Sequence, residues 1–326
     1  MSEVYQAAHE RVAVLDRSDR GRIVVSGNDR ATYLQGLFTN DIAALRPGTG
    51  CYTAYLTAQG RMIADAWVYE LGDVMLLSVV GDVKDTVLAR LDQFIFTEDV
   101  QLGDVTETFG QLAIVGPHAA GAVSGLTARD EASLDAMPEH GTFRAVVEGG
   151  PAIVTRTHDV GPPGFDVYGE RQLVAAVRER LGREGVPLID PGTAAVLRIE
   201  AGIPLFGRDM DTETIPLEAG IEGRAISLTK GCYVGQEVII RVLHRGHGRV
   251  ARRLVGLAID GDQIPPDGAV IHGGDRDIGH ITSAVRSPAS GRPIALGYVR
   301  RESAAPGTSV SIEGTPASVV ELPFAS

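Results

Sequence analysis

A cysteine framed by a lysine, a tyrosine and two glycines is the stretch of this chain best equipped for chemistry: Lys230-Gly231-Cys232-Tyr233-Val234-Gly235-Gln236-Glu237. Glycine serves where a backbone turns sharply or must let another group approach. Gly231 and Gly235 therefore predict that Cys232 is displayed on a loop or turn. A neighbouring cation lowers a thiol's pKa, and exposure makes the thiolate usable. Lys230 is thus expected to favour the Cys232 thiolate, with Tyr233 and Gln236 as ligand-facing neighbours. The competing fate is a small buried hydrophobe, which the polar flanks disfavour. Cys51 has no such flanks and reads as a packed strand residue.

The other polar residues of interest stand at turns and element ends. In Arg198-Ile199-Glu200-Ala201-Gly202, Glu200 falls at a helix C-terminus, the unfavourable end for negative charge. Such a carboxylate either pairs with a nearby arginine or is kept for a donor-rich ligand, and a pterin would make two parallel hydrogen bonds to it. Asp65 follows the Gly60-Arg61 turn and, taken alone, reads as a solvated strand residue. Arg241, Arg245, Arg249, Arg252 and Arg253 run with His244 and His247 and no intervening acid. That run is either a solvated loop or a landing site for a small polyanion. The two histidines lack an adjacent third ligand, so no metal site is expected.

The elements that must position these groups are mixed. Strands are predicted over residues 22–25, 51–56, 62–71, 74–80 and 111–115. Helices are predicted after Gly27-Asn28-Asp29, over 83–94, over 171–181 and from Asp190-Pro191 to near Gly202. After Arg253 come six short strands divided by Gly, Pro and Asp, the texture of a small all-β barrel or sandwich. The expected fold class is α+β, with residues 1–248 as two α+β subdomains and 249–326 as the barrel domain.

Several classes are disfavoured. The chain has 326 residues, too many for one small core. Its net charge of −12 argues against a general nucleic-acid footprint. Two cysteines exclude a disulfide framework or a four-cysteine cluster within one chain. No apolar run approaches membrane-spanning length and Met1 to Glu10 is no secretory signal, so a cytoplasmic setting with no membrane partner is expected. Phosphate-cradling, dinucleotide-binding and nucleophile-elbow motifs are all missing.

The run from Arg198 through Gly202, Pro204, Gly207, Asp209, Pro216 and Glu218 to the Lys230–Glu237 motif resembles the YgfZ proteins, folate-binding relatives of the glycine-cleavage T-protein (aminomethyltransferase). The likeness spans nearly the whole chain. It includes Asp16-Arg17-Ser18, Thr39-Asn40-Asp41, Gly279-His280-Ile281-Thr282-Ser283 and the closing Leu322-Pro323-Phe324. The cysteine motif is specific to the YgfZ branch; the other matches fit the superfamily.

The resemblance implies a tetrahydrofolate site within a three-lobed ring of α+β subdomains that carries a C-terminal β-barrel. Glu200 lies where the family grips the pterin, Arg198 belongs to the same motif, and Lys230 falls near a substrate-side basic position. T-proteins carry two consecutive aspartates after the glycine turn, the first activating the folate amine; here the pair reads Ala64-Asp65. The implied role is a tetrahydrofolate-binding protein supporting iron–sulfur cluster assembly, with assembly proteins or client enzymes as partners. The alternative is a folate-dependent aminomethyltransferase or demethylase moving a one-carbon unit to tetrahydrofolate. Under either role, Cys232, Lys230 and Asp65 are the candidate catalytic residues. Glu200, Arg198, Tyr233, Gln236 and Arg245 are the candidate folate contacts, with Arg245 expected to meet the carboxylates of a polyglutamylated tail.

Overall fold

The computed structural model describes residues 2–244 and 249–324. The chain forms two compact units. One unit comprises residues up to Leu56, Ile63–Thr193 and Arg224–Val234; the other comprises Thr57–Met62, Ala194–Gly223 and the chain from Gly235 onward.

The first unit begins with α1 (Glu3–Glu10), β1 (Ala13–Asp16), β2 (Gly21–Ser26) and α2 (Arg30–Leu37). It continues through β3 (Thr49–Leu56), β4 (Met62–Glu70), β5 (Met75–Val79), α3 (Lys84–Asp92) and β6 (Gln101–Asp104). Then follow β7 (Phe109–Val115), α4 (Ala119–Thr127), α5 (Glu131–Asp135), β8 (Thr142–Val147), β9 (Gly150–Thr157), β10 (Gly164–Glu170) and α6 (Arg171–Arg183). Two five-stranded sheets result, ordered β3-β4-β5-β2-β6 and β1-β7-β10-β9-β8. Every residue of β4 is buried, so both faces of that strand are covered. Its alternation still separates two environments, because successive strand side chains point to opposite faces. Ala64, Ala66 and Val68 join the apolar cluster of Tyr33, Leu34 and Leu37 from α2. Asp65, Trp67 and Tyr69 take the other face, among tyrosines and arginines.

Asp29 precedes α2 as expected but does not cap it through its side chain. Its carboxylate instead accepts from the Asp99 N–H at 2.8 Å, tying the α2 entry to the segment after α3.

The second unit holds most of α7 (Pro191–Glu200), then α9 (Gln236–His244); the short α8 (Glu222–Ala225) lies between them in sequence. Sequence periodicity did not place α9. The barrel strands are β11 (Arg252–Ile259), β12 (Val270–Gly273), β13 (Arg276–Arg286), β14 (Pro293–Arg300), β15 (Ser309–Ile312) and β16 (Thr315–Val320). They close in the order β11-β14-β13-β12-β15-β16, which selects the barrel over the sandwich and leaves no open edge. No described helix is long and apolar enough to cross a membrane.

Candidate functional site

The cysteine loop is held from within by the two residues that flank its thiol. Lys230 Nζ donates to the carbonyls of Gln35 (2.7 Å), Phe38 (2.6 Å) and Asn40 (2.8 Å). An ammonium has three protons, and all three are engaged here. The Tyr233 ring is buried, with Nζ 5.1 Å from its centroid, a cation–π contact. Val234 N–H donates to the Gly36 carbonyl, and Gly235, at φ +85°, turns the chain into α9. Between these anchors Gly231 and Cys232 face solvent. Display of the thiol is as expected, while Lys230 is engaged as an anchor of the loop. Its protons go to the α2–β3 connection, and the ionisable groups its charge faces are Asp41 and Cys51. Burial drags the Lys230 pKa down to about 8 and pushes the Cys51 thiol up to about 12. The Tyr233 hydroxyl is buried without a protein partner, and burial raises its pKa to about 12.

Asp65 is not solvated. It is buried, and its Oδ2 accepts from the Tyr52 hydroxyl at 2.8 Å. Desolvation raises its pKa, opposed by the Arg20 charge. Around it lie Arg17 paired with Asp166 at 2.9 Å, Arg224 paired with Asp159 at 3.0 Å, and Arg20 stacked 4.2 Å over Trp67. Asp65, Asp159 and Asp166 thus balance Arg17, Arg20 and Arg224. Buried charge is tolerated when it is paired in this way. Three atoms of this layer lack a protein partner: Asp65 Oδ1, Arg20 Nη2 and Trp67 Nε1.

In the second unit, Asp209 collects donors. Its Oδ2 accepts from Arg198 Nη1 (2.5 Å) and the Leu205 N–H (3.0 Å), its Oδ1 from Thr282 (2.6 Å) and Ser283 (2.7 Å). Arg198 also donates to the Ile203 carbonyl and to Ser283. Its guanidinium is therefore engaged with Asp209, Ser283 and the Ile203 carbonyl inside the protein. Glu200 ends α7, and its Oε1 accepts from Ser287 at 2.5 Å. Ser287 is thus one partner of this carboxylate. Gln236 opens α9 and is half-buried.

The basic run after the cysteine is partly neutralised. Arg241 pairs with Glu237 at 2.6 Å, and Arg252 pairs with Glu218 at 3.1 Å while stacking on Tyr298. Arg245 lies outside the described residues. Sequence reading missed a charged cleft of about 600 Å³ in the second unit, lined by Arg61, Glu213, Glu218, Arg252, Arg300 and Glu302. Its lining combines a β-turn, an irregular segment and two barrel strands, a juxtaposition that no local spacing reveals. Among the described residues no His, Cys, Asp and Glu group has metal-binding geometry.

Residues 1–230 match the GCVT N-terminal domain, and residues 252–325 match the glycine cleavage T-protein C-terminal barrel domain. The chain belongs to the glycine cleavage T-protein family. It is 32% identical over 333 residues to an aminomethyltransferase of Streptomyces coelicolor, covering 99% of this chain and 88% of the relative. An aminomethyltransferase of Geobacillus kaustophilus is also 32% identical, over 99% of this chain and 90% of its own length. The crystal structure of glycine cleavage system aminomethyltransferase T from Bartonella henselae superposes with a TM-score of 0.88 at 24% identity, covering 99% of this chain and 89% of that one. That likeness establishes the T-protein fold with its six-stranded barrel. The family uses tetrahydrofolate as substrate or cofactor.

Proposed function

We propose that this chain is a tetrahydrofolate-dependent one-carbon protein whose activity is of the aminomethyltransferase type. The observation that carries this reading is the 32% identity, over nearly the whole chain, to relatives of that name. Glu200 is the proposed pterin ligand, oriented by Ser287. Tetrahydrofolate supplies the amine that takes up the one-carbon unit.

A second reading, the YgfZ branch, rests on two residues. Cys232 is exposed on a firmly anchored loop, and the position that carries the first aspartate in T-proteins is Ala64, packed among apolar side chains. Asp65 is no substitute, since the pleat points it to the opposite face of β4. A positioned acid or base contributes about a hundredfold or more in rate, so its absence disfavours ordinary transfer. On this reading tetrahydrofolate is bound and Cys232 serves iron–sulfur cluster assembly in other enzymes.

One set of measurements separates the two. Tetrahydrofolate affinity is measured for wild type and Glu200→Gln, and tetrahydrofolate-dependent release from an aminomethyl donor is measured for wild type and Cys232→Ala. Turnover that survives Cys232→Ala supports the transferase. Absent turnover, together with restoration of cluster-enzyme activity by wild type but not by Cys232→Ala in cells lacking their own YgfZ protein, supports the second reading. Equal folate affinity in wild type and Glu200→Gln removes Glu200 from both.

A further inference from the structure

The first unit carries an open groove that neither reading uses. It is a cavity of about 490 Å³ between α2 and the segment following α3. Its floor is apolar, made by Tyr33, Leu37 and Phe94, and its rim carries the carboxylates of Asp29 and Glu98. Phe94 is 42% exposed, and Phe96, two residues on, is 79% exposed. An exposed aromatic ring lining a groove is the kind of surface that marks an interaction site.

Gly36 adds an independent observation. It lies within α2 and lines the groove, and a Cβ built there would meet nothing within 4 Å. Its backbone is not in the left-handed region, so neither crowding nor conformation requires glycine. Glycine inside a helix is unfavourable by about 1 kcal/mol against alanine. What its missing side chain does is leave the groove floor open.

The charge of the groove selects its occupant. The charged residues that line the groove are Asp29 and Glu98, both carboxylates. The nearest cation in sequence, Arg30, is engaged by Glu70 and the Gly72 carbonyl. A second copy of this chain, with net charge −12, would bring like charge to an acidic rim. An anionic membrane surface is disfavoured for the same reason.

We infer that this groove docks a short segment of a partner protein, an aliphatic or aromatic anchor flanked by lysine or arginine. The anchor enters over Gly36 and packs on Phe94, while the flanking cations meet Asp29 and Glu98. Recognition of this kind reuses the apolar-groove mode seen for amphipathic segments.

The test uses the full chain and a random twelve-residue peptide display library, counter-selected on Gly36→Leu. That variant extends into open space and raises helix propensity, so its melting temperature is expected at or above wild type. Enriched sequences are expected to combine an apolar anchor with lysine or arginine. A synthetic peptide of the enriched sequence should bind about tenfold or more weakly to Gly36→Leu and to Phe94→Ser. Its affinity should fall with salt, be lost on replacing its basic residues by glutamate, and be unchanged by Cys232→Ala or bound folate. That last control separates failure of this inference from failure of the folate reading. The proposal is overturned if no sequence is enriched, if enriched sequences are acidic, or if both groove variants bind like wild type. A concentration-dependent dimer abolished by Phe94→Ser would also overturn it, by assigning the groove to a second copy.

Discussion

Replacing Lys230 by methionine separates an anchor from an activator. The ammonium is still protonated at pH 7, since its pKa is about 8, and it serves three carbonyls. Of its three bonds, only the one to Phe38 O is fully buried; those to Gln35 O and Asn40 O are partly buried. An orphaned buried acceptor costs about 1–3 kcal/mol, and partly hydrated ones cost less. Methionine keeps the packing against Tyr233 and avoids the cost of burying a charge. The expected net loss is about 2 kcal/mol, read as a lower urea midpoint at unchanged slope. Because the loop is then held less firmly, Cys232 should react with a disulfide reagent at least as fast as in wild type. If Lys230 activates the thiol, stability would stay within about 0.5 kcal/mol of wild type and the reaction at pH 7 would slow about tenfold. That pair of results would refute the anchoring role.

Asp65→Asn tests the buried polar layer through pH. Burial holds the Asp65 pKa above its ordinary 3.8, so as pH rises past that value the unfolded chain releases its proton before the folded protein does. Wild type should therefore lose stability relative to Asp65→Asn on going from pH 4 upward; an unchanged difference across that range, in urea titrations, contradicts the burial argument. Arg198→Ala leaves Asp209 as a buried carboxylate without its cation and should cost about 3–5 kcal/mol in unfolding free energy. Weakened folate binding at wild-type stability would instead return Arg198 to the ligand. Ala64→Asp places a carboxylate among the apolar side chains of α2 and should destabilise by about 2–4 kcal/mol in the same assay. Undiminished stability would show that position 64 opens onto a hydrated space.

Much of the fold was legible because its signals are local. The Asp190-Pro191 start, the helical spacing from Arg171, and the Gly- and Asp-divided strands after Arg253 each fix an element within a dozen residues. The paired glycines likewise announced the loop that displays Cys232. What escaped depends on partners distant in sequence. Nothing beside Lys230 indicates that its protons go to carbonyls near 190 residues earlier, or that Asp209 would take the Arg198 guanidinium together with Thr282 and Ser283 from the barrel. The reading of Asp65 as solvated failed because alternation marks two faces without saying whether both are covered, and in β4 both are. The helix Gln236–His244 was obscured by reading its Arg241 as the start of a charge run, whereas Arg241 closes an i,i+4 pair with Glu237.

The parity of β4 bears most directly on what chemistry remains. Two adjacent strand carboxylates serve two different faces, so losing one cannot be made good by its neighbour without a one-residue slip. A slip would carry Trp67 and Tyr69 from the arginine layer into the apolar cluster of α2 and expose Val68 to buried charge. Register is therefore locked, and Ala64 fixes an apolar face where T-proteins carry their first aspartate. The same chain presents a thiol on a loop pinned by a buried lysine and a buried tyrosine. An acid is absent from one place and a nucleophile is displayed in another. Survival of turnover in Cys232→Ala is therefore the result that decides between the two readings.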